Sequence, residues 1–263
     1  MEETMIVAGI DMGTKTAKAV LLREGHPVAA SCFAFSGGVP EAARKALEQA
    51  CQQVGLSPEA IEYLVATGLG KEEVRQAQEM ASDMACHARG AHYRFPSART
   101  ILDIGAENCR GMRCDPQGNL AAFSVNDKCA SGTGIFLETM ARLLEIGIEQ
   151  MGPLSLGSQR EVSISTMCAV FAESEVISEV HRGTAKVDIV RGIHDSVALR
   201  GMALLNKVGV ERDVVMTGGV ARDVGMVAAM TRQLGFEPLI PQDPQEIGAL
   251  GAALWAMERR ARG

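Results

Sequence analysis

Two segments of this chain combine an aspartate with glycines and small polar residues in the pattern of a phosphate-binding turn. IVAGIDMGTKTAKAVLL (6–22) and TILDIGAENCRGMRC (100–114) each read as an apolar strand, a glycine turn and a return strand. Glycine lets the backbone approach a phosphate, turn amides donate hydrogen bonds to it, and an aspartate at the strand end holds Mg²⁺ or orients a water. A third segment, VVMTGGVARDVG (214–225), places a glycine pair between a strand and a helical stretch. Together they predict a nucleotide site between two halves of the chain.

Two of the seven cysteines, Cys129 and Cys168, each precede a helical run and are followed by small residues. A thiolate there would lie at a helix N-terminus, where free amides and the helix dipole stabilise negative charge. An iron–sulfur cluster held by thiolates is such an anion, but a cubane needs four ligands and one chain offers two. From the spacing alone, the simpler interpretation is that Cys129 and Cys168 are buried thiols that lie apart in the fold. The chain has no CxxC pair, which argues against a disulfide framework and a zinc ribbon.

Composition predicts a globular protein of one or two domains. The 263 residues are 47% hydrophobic, enough to bury a full core. The formal charge of −6, without a basic run, makes nucleic acid an unlikely partner. Neither a membrane span nor a signal peptide is recognisable in the sequence, so we expect a cytoplasmic protein.

The remaining elements alternate between strands and helices in an order that occurs twice. The first lobe (1–97) is predicted to contain strands at 5–11, 17–23, 28–35 and 61–67 and helices at 40–54 and 71–91. The second lobe (98–246) repeats three strands, near 100, 110 and 120, followed by helices at 134–145, 170–182, 188–208 and 221–234. We expect the C-terminal helix (247–263) to pack back on the first lobe. Asp11 and Asp103 lie 92 residues apart in similar contexts, which predicts a duplicated lobe.

Beyond the turns, several motifs carry a family resemblance over nearly the whole chain, about 6–256. They include VNDKCASGTGIFLETMARLLEI, STMCAVFAESEVISEVHRG, DIVRGIHDSVALR and GALGAALWA. With the three turns, they resemble the ATP-dependent activators of 2-hydroxyacyl-CoA dehydratases and the ATPase subunits of benzoyl-CoA reductases, the BadF/BadG/BcrA/BcrD type. The resemblance implies a two-lobed actin/hexokinase-like ATPase fold of the α/β class, with duplicated mixed-sheet lobes.

The resemblance also implies site residues. Those matching the family's nucleotide turns are Asp11, Gly13, Thr14, Lys15 and Thr16 in the first, Asp103, Gly105 and Glu107 in the second, and Gly218 and Gly219 at adenosine. ATP or ADP with Mg²⁺ would bind there, and Asp11, Asp103 and Glu107 are the catalytic candidates. Many activators have Gly-Gln-Asp where this chain has Ala106-Glu107-Asn108, which leaves the water-orienting residue open.

By the same resemblance, Cys129 and Cys168 from each of two chains would hold one shared 4Fe-4S cluster. Ferredoxin or flavodoxin would reduce it, and a single low-potential electron would pass to a partner acyl-CoA reductase or dehydratase. The DIGAEN turn, Arg110 and MGPLSLGS (151–158) favour a benzoyl-CoA reductase subunit over a dehydratase activator. The second ATPase chain would then be either identical or a paralogue.

Two other functions are compatible with the nucleotide turns. One is a sugar or small-molecule kinase of the same superfamily without a cluster, although the chain is short for the substrate-binding insertions such enzymes carry. The other is an actin-like or chaperone-like ATP-driven scaffold, which would leave the cysteine segments unexplained. Iron content separates both from an activator.

Overall fold

The computed structural model describes residues 5–126 and 132–262. The chain divides into two compact units. Unit 1 comprises Met1–Ala98, Cys114–Ala121 and Gln245–Gly263, and unit 2 comprises Arg99–Arg113 and Ala122–Pro244. Within the described ranges, no helix is long and apolar enough to cross a membrane.

Unit 1 is built on a five-stranded mixed sheet. Its strands are β1 (Ile6–Met12), β2 (Thr16–Arg23), β3 (His26–Ala34), β4 (Tyr63–Gly68) and β5 (Glu79–Met80), in the order β3-β2-β1-β4-β5. Strand β1 pairs antiparallel with β2 and parallel with β4. The helices are α1 (Val39–Gln53), α2 (Asp83–Arg94) and α8 (Ile247–Arg262).

The two faces of strand β1 contact different helices, as alternation along a strand requires. Ala8, Ile10 and Met12 share one core cluster with the buried alanines of α1. Helix α8 packs on the other face, where a Cβ added to Gly9 would lie 2.1 Å from the Ala253 amide nitrogen. The C-terminal helix therefore packs on the first sheet, in direct backbone contact with β1.

Unit 2 repeats this plan with a four-stranded sheet. Its strands are β6 (Thr100–Ile104), β7 (Cys109–Cys114), β8 (Leu120–Asn126) and β9 (Val214–Thr217), in the order β8-β7-β6-β9. Its helices are α3 (Gly134–Leu143), α4 (Ile148–Leu156), α5 (Ala169–His181), α6 (Lys186–Val208) and α7 (Val224–Leu234). Strand β6 pairs antiparallel with β7 and parallel with β9, the same relations as β1 with β2 and β4. The predicted duplication of strand order is thus confirmed.

The structure corrects two predicted helices and adds a third that was not predicted. The helix expected at 71–91 is instead a 3₁₀ turn, the short strand β5 and helix α2. Pairing explains this, because Val65 and Ala66 of β4 align with Glu79 and Met80 and override the local helix propensity. Helix α4 was not predicted. The helix expected at 221–234 begins only at Val224, after a 3₁₀ turn (Gly219–Arg222).

Candidate functional site

The first phosphate turn follows β1 in unit 1. Asp11 is only 6% exposed, and its Oδ2 atom lies 2.8 Å from Nζ of Lys18. The turn closes through a 3.0 Å hydrogen bond from the Gly13 amide to the Thr16 carbonyl. A Cβ at Gly13 would lie 2.9 Å from Nζ of Lys18, so glycine leaves room for the ammonium group. Thr14, the remaining turn residue beside Lys15, is half-buried like the rest of the turn.

The second phosphate turn follows β6 in unit 2 and has the same plan. Asp103 is 3% exposed, and its Oδ2 atom lies 3.0 Å from Nη1 of Arg110. Its Oδ1 atom accepts a hydrogen bond of 3.2 Å from Oγ1 of Thr217. The Gly105 amide donates to the Asn108 carbonyl at 2.8 Å, which closes the turn. Glu107 is exposed within that turn.

A cation opposite each aspartate was missed from the sequence. Lys18 faces Asp11 across the β1–β2 pair, and Arg110 faces Asp103 across the β6–β7 pair. Each cation stands seven residues after its aspartate, within a largely buried strand. This seven-residue spacing, which occurs after both aspartates, was the sequence signal that could have identified the two cations. An ion pair at this distance fixes the orientation of each carboxylate.

A glycine on the neighbouring parallel strand also lies against each aspartate. Gly68, at the end of β4, has φ +86°, and a Cβ there would lie 2.3 Å from Oδ1 of Asp11. Gly218, after β9, has φ +86°, and a Cβ there would lie 2.7 Å from Oδ1 of Asp103. A side chain at Gly68 would displace the Asp11 carboxylate, and one at Gly218 would displace the Asp103 carboxylate. The two units therefore present the same arrangement of aspartate, cation and glycine.

The glycine pair of the third segment lies at the start of a 3₁₀ turn beside a cavity. The turn Gly219–Arg222 follows Gly218, and the cavity of about 660 Å³ lies along it and helix α7. Its walls are mainly apolar, with polar side chains at Arg222, Thr231, Glu237 and Gln242. This composition suits a flat heterocycle with a polar edge.

The second turn is bonded to the start of helix α3. The Gly134 amide donates to the Gly105 carbonyl at 2.9 Å, and the Ile135 amide donates to the Ala106 carbonyl at 2.9 Å. Helix α3 begins immediately after the segment that contains Cys129. A displacement of the turn would therefore act directly on the first residues of α3.

Only one of the two predicted cluster ligands can be located. Cys129 lies outside the described residues. Cys168 is the N-cap of α5 and is partly exposed. Across 5–126 and 132–262, no group of three or more histidines, cysteines or acidic residues is placed to hold a metal ion. Burial raises the pKa of Cys86 and of Cys109 to about 12, which makes both thiols poor ligands.

The surface around Cys168 is apolar and uncovered in the single chain. Met167 is 81% exposed and Phe171 is 60% exposed. Val170, Ile177 and Val180 extend this surface along α5. We call these five residues the α5 apolar surface. Several large apolar side chains exposed along one helix are typical of an interface.

Comparison with solved structures of known proteins identifies the fold. A glucokinase of the ROK family from Streptomyces griseus, 13% identical, superposes with a TM-score of 0.60 over 96% of this chain and 99% of its own. The activator of 2-hydroxyisocaproyl-CoA dehydratase from Clostridium difficile with bound ADPNP is 42% identical. It superposes with a TM-score of 0.92 over 98% of this chain and 96% of its own. The fold is that of the actin/hexokinase-like ATPases, as predicted.

Sequence comparisons define the family within this class. Residues 8–256 match the model of the BadF/BadG/BcrA/BcrD ATPase family. The 2-hydroxyisocaproyl-CoA dehydratase activator of Clostridioides difficile is 44% identical over 97% of this chain and 96% of its own length. A benzoyl-CoA reductase subunit of Thauera aromatica is 36% identical over 98% of this chain and 95% of its own length. This chain belongs to the BadF/BadG/BcrA/BcrD ATPase family.

Proposed function

We propose that this chain is an ATP-hydrolysing activator of a 2-hydroxyacyl-CoA dehydratase. The identity of 44% to a dehydratase activator exceeds the 36% to the Thauera aromatica reductase chain, which favours the dehydratase role over the reductase role that DIGAEN suggested. The observation that carries ATP hydrolysis is the arrangement of aspartate, cation and glycine, which occurs once in each unit.

In this proposal, each unit supplies one phosphate-binding turn. The amides around Gly13 and Gly105 donate to phosphate oxygens, with Thr14, Lys15 and Thr16 completing the first turn. Asp11 and Asp103 hold Mg²⁺ and orient the attacking water, because buried carboxylate oxygens are the ligands that Mg²⁺ prefers. Lys18 and Arg110 hold the two carboxylates in this orientation through their ion pairs. Glu107, exposed in the second turn, is a further candidate for the water.

Adenosine binds against Gly218 and Gly219 in this proposal, with the base in the adjacent cavity. The cavity volume of about 660 Å³ is ample for a purine. Arg222 supplies a planar cation that stacks on an aromatic ring. The apolar wall contributed by Val224 and Ile240 excludes water from the ring faces.

The cysteine segments give the proposed activator its redox role. Cys168, partly exposed at the N-terminus of α5, fits a thiolate ligand to an anionic 4Fe-4S cluster, and Cys129 and the two cysteines of a second chain would complete the set. Such a cluster supplies a low-potential electron. The hydrogen bonds from Gly134 and Ile135 to the second turn link the nucleotide to the Cys129 segment. The α5 apolar surface suits the second chain.

The partners of the proposed activator follow from this redox role. The α5 apolar surface binds a second ATPase chain, identical or paralogous. Ferredoxin or flavodoxin supplies the electron, and a 2-hydroxyacyl-CoA dehydratase receives it. Nothing among the described residues identifies the acyl group, which is bound by the dehydratase in this proposal.

An activation assay tests the proposal. Anaerobically purified chain, ATP and a chemical reductant are added to an inactive 2-hydroxyacyl-CoA dehydratase, and dehydration is followed. We expect activation by the parental chain and at least about tenfold less by Asp103→Asn, which loses a positioned catalytic group. Asp115→Asn is the matched control, since the Asp115 carboxylate accepts hydrogen bonds from Gln117 and Asn119 of its own hairpin. Activation without ATP, or phosphorylation of a sugar instead, would contradict the proposal.

A further inference from the structure

A buried histidine of α6 contacts the residue that caps α7. His194 has no exposed surface, and its Nε2 atom lies 3.2 Å from Oδ2 of Asp223. Oδ1 of Asp223 accepts hydrogen bonds from the amides of Gly225 at 2.8 Å and Met226 at 3.1 Å. Burial opposes ionisation of Asp223, but the hydrogen bond from His194 and the two amides outweigh it and hold its pKa below the ordinary value. The carboxylate therefore joins α6 to the first turn of α7.

Close packing fixes the geometry of this pair. A Cβ at Gly225 would lie 2.7 Å from the His194 ring, and a Cβ at Gly152 of α4 would lie 2.7 Å from Oδ1 of Asp223. Glycines at these two positions let α4 and α7 approach the pair to contact distance.

Asp223 also ends the turn that borders the cavity. Its amide donates to the Val220 carbonyl at 3.0 Å, within the 3₁₀ turn that follows Gly218. Its two neighbours in the chain, Arg222 and Val224, both line the cavity. A shift of Asp223 would therefore move the glycine turn and the cavity wall together.

We infer that His194 is a positioning residue for nucleotide binding, which holds the Gly219–Arg222 turn in shape through Asp223. This inference rests on the proposed binding of adenosine at that turn. His194 is not among the residues that line the cavity and acts through Asp223, so we expect its loss to change affinity for the adenosine end of ATP and to leave the hydrolytic step intact. A hydrogen bond to a charged group corresponds to about tenfold or more in an equilibrium constant.

Two substitutions separate the hydrogen bond from the volume of the ring. His194→Gln keeps a donor near the Nε2 position, whereas His194→Phe keeps a ring without a donor. Dissociation constants for ATP and for inorganic tripolyphosphate are measured with the full chain, together with kcat and KM for ATP. We expect His194→Phe to raise KM and the ATP dissociation constant about tenfold with kcat within about twofold. We expect His194→Gln to bind ATP like the parental chain, and tripolyphosphate binding to be equal in all three proteins.

Asp195→Asn is the matched control. Asp195 also joins α6 to α7, through a 2.6 Å ion pair with Arg232, which lies in the last turn of α7 rather than at its capped start. It should leave ATP binding unchanged. If His194→Phe does not fold, Asp223→Ser breaks the same contact while retaining a good N-cap, and the same tenfold weakening is expected.

The outcomes distinguish this inference from the proposed function. Parental chain that binds no ATP refutes both. Parental chain that binds ATP, with His194→Phe or Asp223→Ser binding it equally well, overturns the role of His194 alone. Equal weakening by His194→Phe and His194→Gln, or by the Asp195→Asn control, shows a general packing effect and also overturns it.

Discussion

Replacing Gly218 with alanine tests the arrangement of aspartate and glycine in unit 2 most sharply. Gly218 has φ +86° and ψ 174°, a region used almost only by glycine, where another residue costs about 1–3 kcal/mol. The new Cβ would also lie 2.4 Å from the Ile104 carbonyl oxygen and 2.7 Å from Oδ1 of Asp103. Such overpacking costs a further ~1–3 kcal/mol. We expect Gly218→Ala to lower the free energy of unfolding by about 2–6 kcal/mol, from these two sources together.

Gly235→Ala is the matched control for this substitution. Gly235 has a similar φ of +75°, but no atom lies within 4 Å of its added Cβ. Gly235 has ψ 9°, in the left-handed helical region, so alanine there costs about 1–2 kcal/mol of backbone strain and adds no clash. Urea unfolding gives the free energies, and ATP turnover is measured on the folded fraction. The clash displaces Asp103, so turnover of Gly218→Ala should fall about tenfold or more while that of Gly235→Ala is retained. Equal stability and equal turnover in the two variants would refute the assigned geometry.

Three further predictions concern the aspartates of the two phosphate turns, the buried and exposed thiols, and the contact between His194 and Asp223. Asp11→Asn and Asp103→Asn should each lower ATP turnover about tenfold or more while the nucleotide dissociation constant, measured by calorimetry, changes little; parental turnover would show that the turns are misassigned. In cluster-free protein at pH 8, a thiol reagent should label Cys168 quickly and Cys86 and Cys109 only after unfolding, because burial raises the pKa of these two thiols to about 12; mass spectrometry identifies the sites, and early labelling of Cys109 would contradict the packing. Because the pKa of Asp223 is lowered on folding, its stabilising effect is complete above its ordinary value of 3.8 and is lost as pH falls through the folded value. The stability difference between parental chain and Asp223→Ser should therefore shrink as the pH falls below about 3.8. A difference that grows over this pH range would contradict the assigned contact.

The sheets were predictable because their strands are short apolar runs ended by glycine turns. The pattern of β1, β2 and β3 is visible in the sequence, and its repeat predicts β6, β7 and β8. Long-range pairing was not visible. The segment that contains β5 is rich in helix-forming residues, and only its hydrogen bonds with β4 make it a strand, such as that from the Gln78 amide to the Leu64 carbonyl at 2.9 Å.

Helix α4 shows why some helices escape prediction. Gly152 and Pro153 are poor helix formers, and both lie within it. Its contacts explain its presence, since Met151 is fully buried and Gly152 packs closely against Asp223 of unit 2. The Gly147 amide also donates to Oε1 of Gln150 at 2.8 Å, which satisfies one free amide at the start of the helix.

The aspartate turns were predictable from the local sequence pattern, whereas the cations that contact the aspartates were not predicted. Asp11 and Asp103 follow apolar strands and precede glycines, a local pattern. Lys18 and Arg110 become neighbours of these aspartates through the strand register, and the seven-residue spacing that occurs in both copies was the one sequence signal of that contact. The His194–Asp223 pair is more remote still, because the two residues stand 29 positions apart and meet only when α6 packs on α7.

Iron content per chain, measured with the native mass after anaerobic purification, tests the central claim most directly. An ATPase whose Cys129 and Cys168 share one 4Fe-4S cluster with a second chain should contain about two irons per chain and have the mass of a dimer. Cys168→Ser should lose the iron and Cys51→Ser, whose thiol is buried in α1, should keep it. Near-zero iron in the parental chain under strict anaerobic conditions, or undiminished iron in Cys168→Ser, would contradict the account.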